Sequence, residues 1–340
     1  MKAVIFLFAA LFSAPALAQD TAPAGPTLQT VRDRGLLICA TSDPLPGFAQ
    51  QGFDGIWTGF DIDICRAVAA AVLGDPNKVS FRALSGDSRF VDLQTGAVDL
   101  LARNGGWTIR RDTSFDSSFV GASFYDGQGF MVPESLGFVS AFELDNVSVC
   151  VLDEGEEIAN LREFFFTTQA AYTEVPYEDR ADLSVAYQRG LCNVVSAPGS
   201  WLQAVRRSLP EPATHRILPE RISKEVFGPV VRSGDDQWFE IVRWTLFTLI
   251  AAEEAGVSSF NIGDLAAAKT LAIRRLLGLQ GQFGPGIGLS PNFMRDIIAL
   301  VGNYGELFDR HFGPDTGASI PRGQNGLWIN GGLLYAPPLE

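Results

Sequence analysis

Short apolar runs alternate with amphipathic stretches along most of the chain. "GLLICAT" reads as a strand. "GFDIDICRAVAAAVLG" repeats apolar residues at helical spacing, with Ile64, Val68 and Val72 on one face and Gly74 as its stop. "KVSFRAL" predicts a second strand, "SRFVDLQTG" a helix ending at Gly96, and "VDLLAR" a third strand. This β-α-β-α-β order predicts a parallel sheet with right-handed crossovers. A second unit opens at "VSVCVL", passes through a helix near "IANLREFFF" and returns as "LCNVVSA". The stretch "DDQWFEIVRWTLFTLIAAEEAG" predicts a long helix capped by Asp235 or Asp236 and stopped at Gly256. In it Trp238, Phe239, Trp244 and Phe247 recur at helical spacing and read as core. "SPNFMRDIIALVGNYGELFDRHFG" predicts further helix, with Ser290 as cap and Pro291 in the first turn. The fold class is α/β, two lobes with a helical C-terminal region.

Composition narrows the function classes. The chain has 340 residues, 46% of them hydrophobic and 19% charged, which suits a globular protein with sizeable cores. A net charge of −13 without a basic cluster argues against a nucleic-acid partner. The N-terminus reads as a signal peptide over residues 1–18: Lys2, the apolar "AVIFLFAALF", then "APALA" with small residues at Ala16 and Ala18. Cleavage after Ala18 leaves Gln19 first. The apolar run is about half the roughly 20 residues of a membrane span, and no cysteine follows the cleavage point to carry a lipid. The expected product is exported and soluble.

Export makes the cysteines legible. Cys39, Cys65, Cys150 and Cys192 form no CxxC pair, and His215 and His311 stand apart, so neither zinc nor any other cofactor is indicated. Four cysteines in an oxidising compartment suggest two disulfides with three possible connectivities, of which pairing neighbours in sequence is the simplest. "GPGIGL" at 284–289 follows no strand of a βαβ unit, so it is not read as a dinucleotide loop, and neither GxSxG nor HExxH occurs.

The most pointed stretch is "VDLLARNGGWTIRRD". It leaves a strand, passes Gly105 and Gly106, and enters a helix with Thr108 at the N-cap and Arg111 one turn later. Ligands of such sheets sit beyond the carboxyl ends of the strands. Glycines admit a ligand close to the backbone, and an arginine fork matches a carboxylate. From spacing alone, a surface ion pair of Arg111 with Asp112 or Asp116 is the better explanation of the residue. "EGEE" at 154–157 reads as an acidic first turn favourable to the helix dipole, or as a site.

A resemblance extends these readings. "WTGFDIDICRAVAAAVLGDPNKV", "RFVDLQTGAVDLLARN", "WTIRRDTS", "YDGQGFMV", "LPERISKEVFGPVVRSGDDQWFEIVRWTLFTLI", "VGNYGELFDRHFGP" and "GLWINGGLLYAPP" together resemble the periplasmic general L-amino-acid-binding proteins of ABC importers. The similarity covers essentially the whole chain after the signal segment. It implies the type II periplasmic-binding-protein fold, with parallel-rich sheets flanked by helices and joined by hinge strands. One lobe would comprise residues 28–127 and 230–340, the other residues 128–229. It also implies disulfides Cys39–Cys65 and Cys150–Cys192, a small-molecule ligand, an inner-membrane ABC permease as partner, and a monomer.

The family's ligand-lining positions match Leu45, Asn104, Gly105, Gly106, Thr108 and Arg111 in the first lobe, and Gly155, Glu156 and Pro198 in the second. Arg111 matches the carboxylate-binding arginine. Where the family carries a Thr-Thr pair, this chain has Gly105 and Gly106. The family's hydroxyl-bearing loop is matched by Glu154, Gly155, Glu156 and Glu157, and its ammonium-binding aspartate by Pro198. A partly buried carboxylate is therefore expected at Glu156, with a pocket diverged from the usual amino-acid site. Glu154, Glu156 or Glu157 could instead receive the ligand's cation. Two alternatives come with the fold: a prephenate or arogenate dehydratase-like enzyme with Glu156 as proton donor, and a ligand sensor without an importer.

Overall fold

The computed structural model describes residues 21–339, except Asp43, Ser85, Asp87, Glu154, residues 265–269 and residues 317 and 318. The predicted signal peptide, its cleavage point after Ala18, and Glu154 lie outside the described residues. No helix among the described residues is long and apolar enough to cross a membrane.

Two five-stranded sheets carry the fold. In the first, Leu37–Thr41 runs parallel between Val79–Ala83 and Leu100–Leu101. Val230–Arg232 then joins antiparallel, and Ser117–Phe119 forms the edge. In the second, Val147–Leu152 runs parallel between Tyr172–Tyr177 and Val194–Pro198. Gln128–Pro133 pairs antiparallel with the latter, and His215–Ile217 closes the edge. Each sheet thus has a parallel half; the apolar runs predict all of it in the first sheet and all but Tyr172–Tyr177 in the second. The antiparallel half of each comes from distant segments that the alternating pattern does not reveal.

The helices follow their sequence signals closely. Phe60–Leu73 buries Ile64, Val68 and Val72 and ends at Gly74, whose φ of 69° suits a residue without Cβ. Asp235 caps Asp236–Glu254 by accepting from the Trp238 N–H at 3.0 Å. Trp238 is fully buried, while Phe239, Trp244 and Phe247 pack at the margin of the same core. The C-terminal stretch differs from its prediction. It forms two helices, Phe293–Leu300 and Tyr304–Phe312, because Gly302 turns the chain at φ 109° and Asn303 starts a new helix with a reciprocal cap to Glu306. Asn292, not Ser290, precedes the first of the two. Tyr304, Phe308 and Phe312 pack with Phe48, Phe60 and Phe124, so these helices complete the first lobe's core.

The connection between the sheets is short. Phe124–Asp126 and Glu225–Phe227 pair antiparallel, carrying the chain out of the first sheet and back. Phe124 and Phe227 stack at 6.0 Å inside the first lobe's core. Asn325 clamps the outgoing strand, accepting from the Tyr125 N–H at 2.7 Å and donating to its carbonyl at 2.9 Å. The hinge is therefore anchored at one end, and the charged pair Asp126 and Glu225 stands in register at the other.

Disulfides join Cys39 to Cys65 and Cys150 to Cys192, the pairing the resemblance implies. The first lies within one sheet's lobe and the second within the other's, so neither ties the lobes together. In the chain-entropy picture they stabilise by about 3.5 and about 4 kcal/mol.

Candidate functional site

The first-lobe pole forms where Leu100–Leu101 ends. The chain beyond it docks on the hinge: Gly106 bridges Phe227, and the Trp107 N–H donates to the Val226 carbonyl at 2.7 Å. Thr108 caps the Ile109–Ser114 helix, accepting from the Arg111 N–H at 3.3 Å. The Arg111 guanidinium folds back onto the Gly106 carbonyl. Neither acidic neighbour pairs with it. Asp112 instead accepts from the Trp107 indole N–H at 2.6 Å, and no described carboxylate lies within ion-pair reach of Arg111. The surface ion pair that spacing allows is not formed.

The glycines matter unequally. A Cβ on Gly105 would make only ordinary contact with Arg103, whereas one on Gly106 would lie 3.3 Å from the Arg111 guanidinium. Gly106 thus leaves Arg111 room to swing, and both residues, like Asn104, stay partly buried. Leu45 is placed to sense the other lobe, since its side chain packs against both lobes' cores. The same pole holds oxygens that the sequence reading missed. Thr41 Oγ1, Ser42 Oγ and Asp61 Oδ2 are buried without hydrogen-bond partners among the described residues. Burial pushes the Asp61 carboxyl up to about 7, with Arg103 pulling it back only in part. For the two hydroxyls the signal is "TS" at the end of the Leu37–Thr41 strand, a place where polar groups at a strand's carboxyl end face a ligand.

In the second lobe, Val147–Leu152 leads through Gly155, at φ 73°, into the Glu157–Thr168 helix. Glu156 stands at its N-cap and is exposed. The expected partly buried carboxylate is instead Glu157, one residue on, because the helix turns position 157 inward. Glu157 is paired with Arg180 and raised by burial. Gln128, fully buried, fixes this turn by donating to the Glu157 carbonyl at 2.9 Å and to Ser196 Oγ at 2.8 Å. Even so, Glu157 Oε2 and Arg180 Nη1 are buried without partners. An exposed Glu156 also lacks the desolvation that a dehydratase-type proton donor requires.

Pro198 ends Val194–Pro198 and precedes the Gly199–Ser208 helix without capping it. The cap comes from the hinge. Asp126 accepts from the Gly127 N–H at 2.8 Å and from the Ser200 N–H and Oγ–H at 3.1 and 2.5 Å. A Cβ on Gly199 would lie 3.0 Å from Asp126 and 2.8 Å from the Arg221 guanidinium, so those side chains would have to shift to admit one. A carboxylate is thus supplied to this helix start from another strand, although position 198 has none. Opposite Asp126 stands Glu225, a residue that no local pattern singles out. Burial, with the charges of Asp126 and Glu157 beside it, pushes its carboxyl up to about 8, and Arg180 offsets this only partly. Asp126 is raised too, by burial. Like charges directly opposite on paired strands destabilise each other. The hinge end of the cleft is a place short of positive charge, one residue from the Val226 carbonyl that holds the Arg111 loop.

Comparison with known proteins places this geometry. The chain matches the bacterial extracellular solute-binding proteins, family 3, over residues 37–256. It is 45% identical to the glutamate/glutamine/aspartate/asparagine-binding protein BztA of Rhodobacter capsulatus, covering 97% of this chain and 99% of that one. It is 41% identical to the general L-amino acid-binding periplasmic protein AapJ of Rhizobium johnstonii, covering 98% of each. A periplasmic binding protein of an ABC transporter from Brucella ovis, solved with glutathione bound, superposes with a TM-score of 0.86 at 41% identity, covering 93% of this chain and 99% of that one. These relatives are named as binding proteins, not enzymes. The chain, with its paired α/β sheets and crossing hinge strands, belongs to the bacterial extracellular solute-binding proteins, family 3.

Proposed function

We propose that the protein is the periplasmic receptor of an amino-acid-type ABC importer, with a cleft in which the ligand's positive end is held by the hinge. The signal segment is removed after Ala18. The lobes, residues 28–127 with 230–340 and residues 128–229, close about the Phe124–Asp126 and Glu225–Phe227 strands. Closure is a population shift driven by contacts made only when the lobes meet. The closed monomer then presents itself to a membrane permease. Among the matched positions, Leu45, Asn104, Gly105, Gly106, Thr108, Arg111, Gly155, Glu156 and Pro198 border the cleft in this reading.

The observation that carries the proposal is the Arg111 guanidinium, which among the described residues has only a backbone carbonyl as partner and sits in a loop docked on the hinge. An arginine left without a carboxylate is ready to fork one from a ligand. Thr41 and Ser42 hydroxyls stand in for the absent threonines at positions 105 and 106. The ammonium goes to Glu225 and Glu157, not to position 198. A head group carrying both charges fits an amino acid or a γ-glutamyl peptide. The named ligands of the relatives, acidic amino acids and their amides for one and glutathione for another, are both of that class.

Mass spectrometry of small molecules released from native protein tests the reading. The expected result is a compound with a free ammonium and a carboxylate on one carbon. Added back at one hundred times its dissociation constant, it should stabilise the protein by about 2.7 kcal/mol. A sugar or a bare metal ion as the released ligand would refute the proposal.

A further inference from the structure

We propose a second anion subsite at the interlobe rim, where Arg206 and Arg207 receive a carboxylate or phosphate group. A cavity of about 680 Å³ opens there between Pro46 and Gln50 of the first lobe and Arg206, Arg207, Ser208 and Pro212 of the second. In a chain with 39 acidic residues against 26 basic ones, this cavity is lined, among the described residues, by two arginines and no carboxylate. The favourable end of the helix dipole explains why arginines are tolerated in the last turn of Gly199–Ser208. It does not explain Arg206 Nε, which is buried without a hydrogen-bond partner. A buried guanidinium N–H lacking an acceptor is costly, and an anion removes that cost.

The surrounding groups leave the site to an anion. Arg207 is fixed by donating to the Thr316 carbonyl at 2.5 Å, a contact that crosses from the second lobe to the C-terminal segment. His215 does not compete as a cation, because burial, with Arg206 nearby, holds it below its ordinary value, and it shares a 2.7 Å hydrogen bond with the Tyr187 hydroxyl. Glu211 influences His215 but makes no ion pair with Arg206. Because the walls come from both lobes, an anion here favours the closed form.

The position also suits the far end of a long ligand. The helix that carries Arg206 in its last turn begins beside Pro198, and the eight residues of helix from Gly199 to Arg206 span about 12 Å. Pro46 follows Leu45, which packs against both cores. The anion is therefore either a free ion or the distal carboxylate of an elongated ligand whose head group lies at Arg111. The second case rests on the function proposed above.

Calorimetry separates the possibilities with three probes: glutathione, glutathione amidated at its glycine carboxylate, and inorganic phosphate. Wild type, Arg206→Ala, Arg206→Gln and Arg111→Ala are compared. For a distal carboxylate, Arg206→Ala and Arg206→Gln weaken glutathione binding tenfold or more, and amidation of the ligand does the same to the wild type. For a free ion, phosphate binds wild type and Arg111→Ala alike and is lost with Arg206. Failure of both glutathione and phosphate to bind wild type at millimolar concentration overturns the subsite, as does binding indifferent to both Arg206 variants. If Arg111→Ala abolishes ligand binding while the Arg206 variants change nothing, the main function stands and this subsite falls.

Discussion

Arg111→Ala is expected to lower affinity for the natural ligand by about 25-fold or more while leaving the fold intact. Truncating one member of a desolvated, hydrogen-bonded charge pair costs about 2–5 kcal/mol, and each 1.4 kcal/mol is tenfold in affinity. The fold should tolerate the change, because the guanidinium of Arg111 is tied only to the Gly106 carbonyl and its residue is partly exposed. Arg111→Lys keeps the charge but not the planar fork, so it should recover only a minor part of the loss. Calorimetry beside a thermal melt reads both quantities. Unchanged affinity in Arg111→Ala would remove the arginine from the site, whatever the melt shows.

The second large effect is on stability and its pH dependence. Glu225 titrates at about 8 in the folded protein against an ordinary 4.5. The folded state therefore holds this proton more tightly than the unfolded chain does. Its contribution is complete below about pH 4.5 and is lost as pH rises through about 8. Glu225→Gln keeps the shape and removes the charge. The variant should match wild type near pH 4.5 and be more stable near pH 8.5 by up to about 4 kcal/mol, or on the order of 10 °C in Tm. Parallel melting curves for the two proteins across this range would show that Glu225 is not held at a cost by the fold.

Much of the frame was legible because single residues stop or start its elements. Gly74 ends one helix and Asp235 begins another, where sequence reading puts both. The run "VSVCVL" forms a strand over its full length because neighbours cover it on both sides. Tyr172–Tyr177 went unread because Pro176 interrupts it, which an edge strand tolerates and an inner one does not. The hinge strands are three residues each, too short to show a period. Asp126 and Glu225 meet only because the chain leaves and re-enters the first lobe side by side. No local pattern could bring them together. Arg111 was legible as a candidate, but its freedom from Asp112 depended on the Trp107 indole taking that carboxylate first. The choice between Glu156 and Glu157 turned on one residue of helix phase.

In the proposed function the hinge, not position 198, receives the ligand's ammonium. Binding must then strip the proton that Glu225 carries at neutral pH. Calorimetry of the natural ligand at pH 7, in two buffers of different ionisation enthalpy, measures this directly. The account predicts release of a large fraction of one proton by wild type and much less by Glu225→Gln. Binding with no proton exchange, or with the same exchange in both proteins, would contradict it.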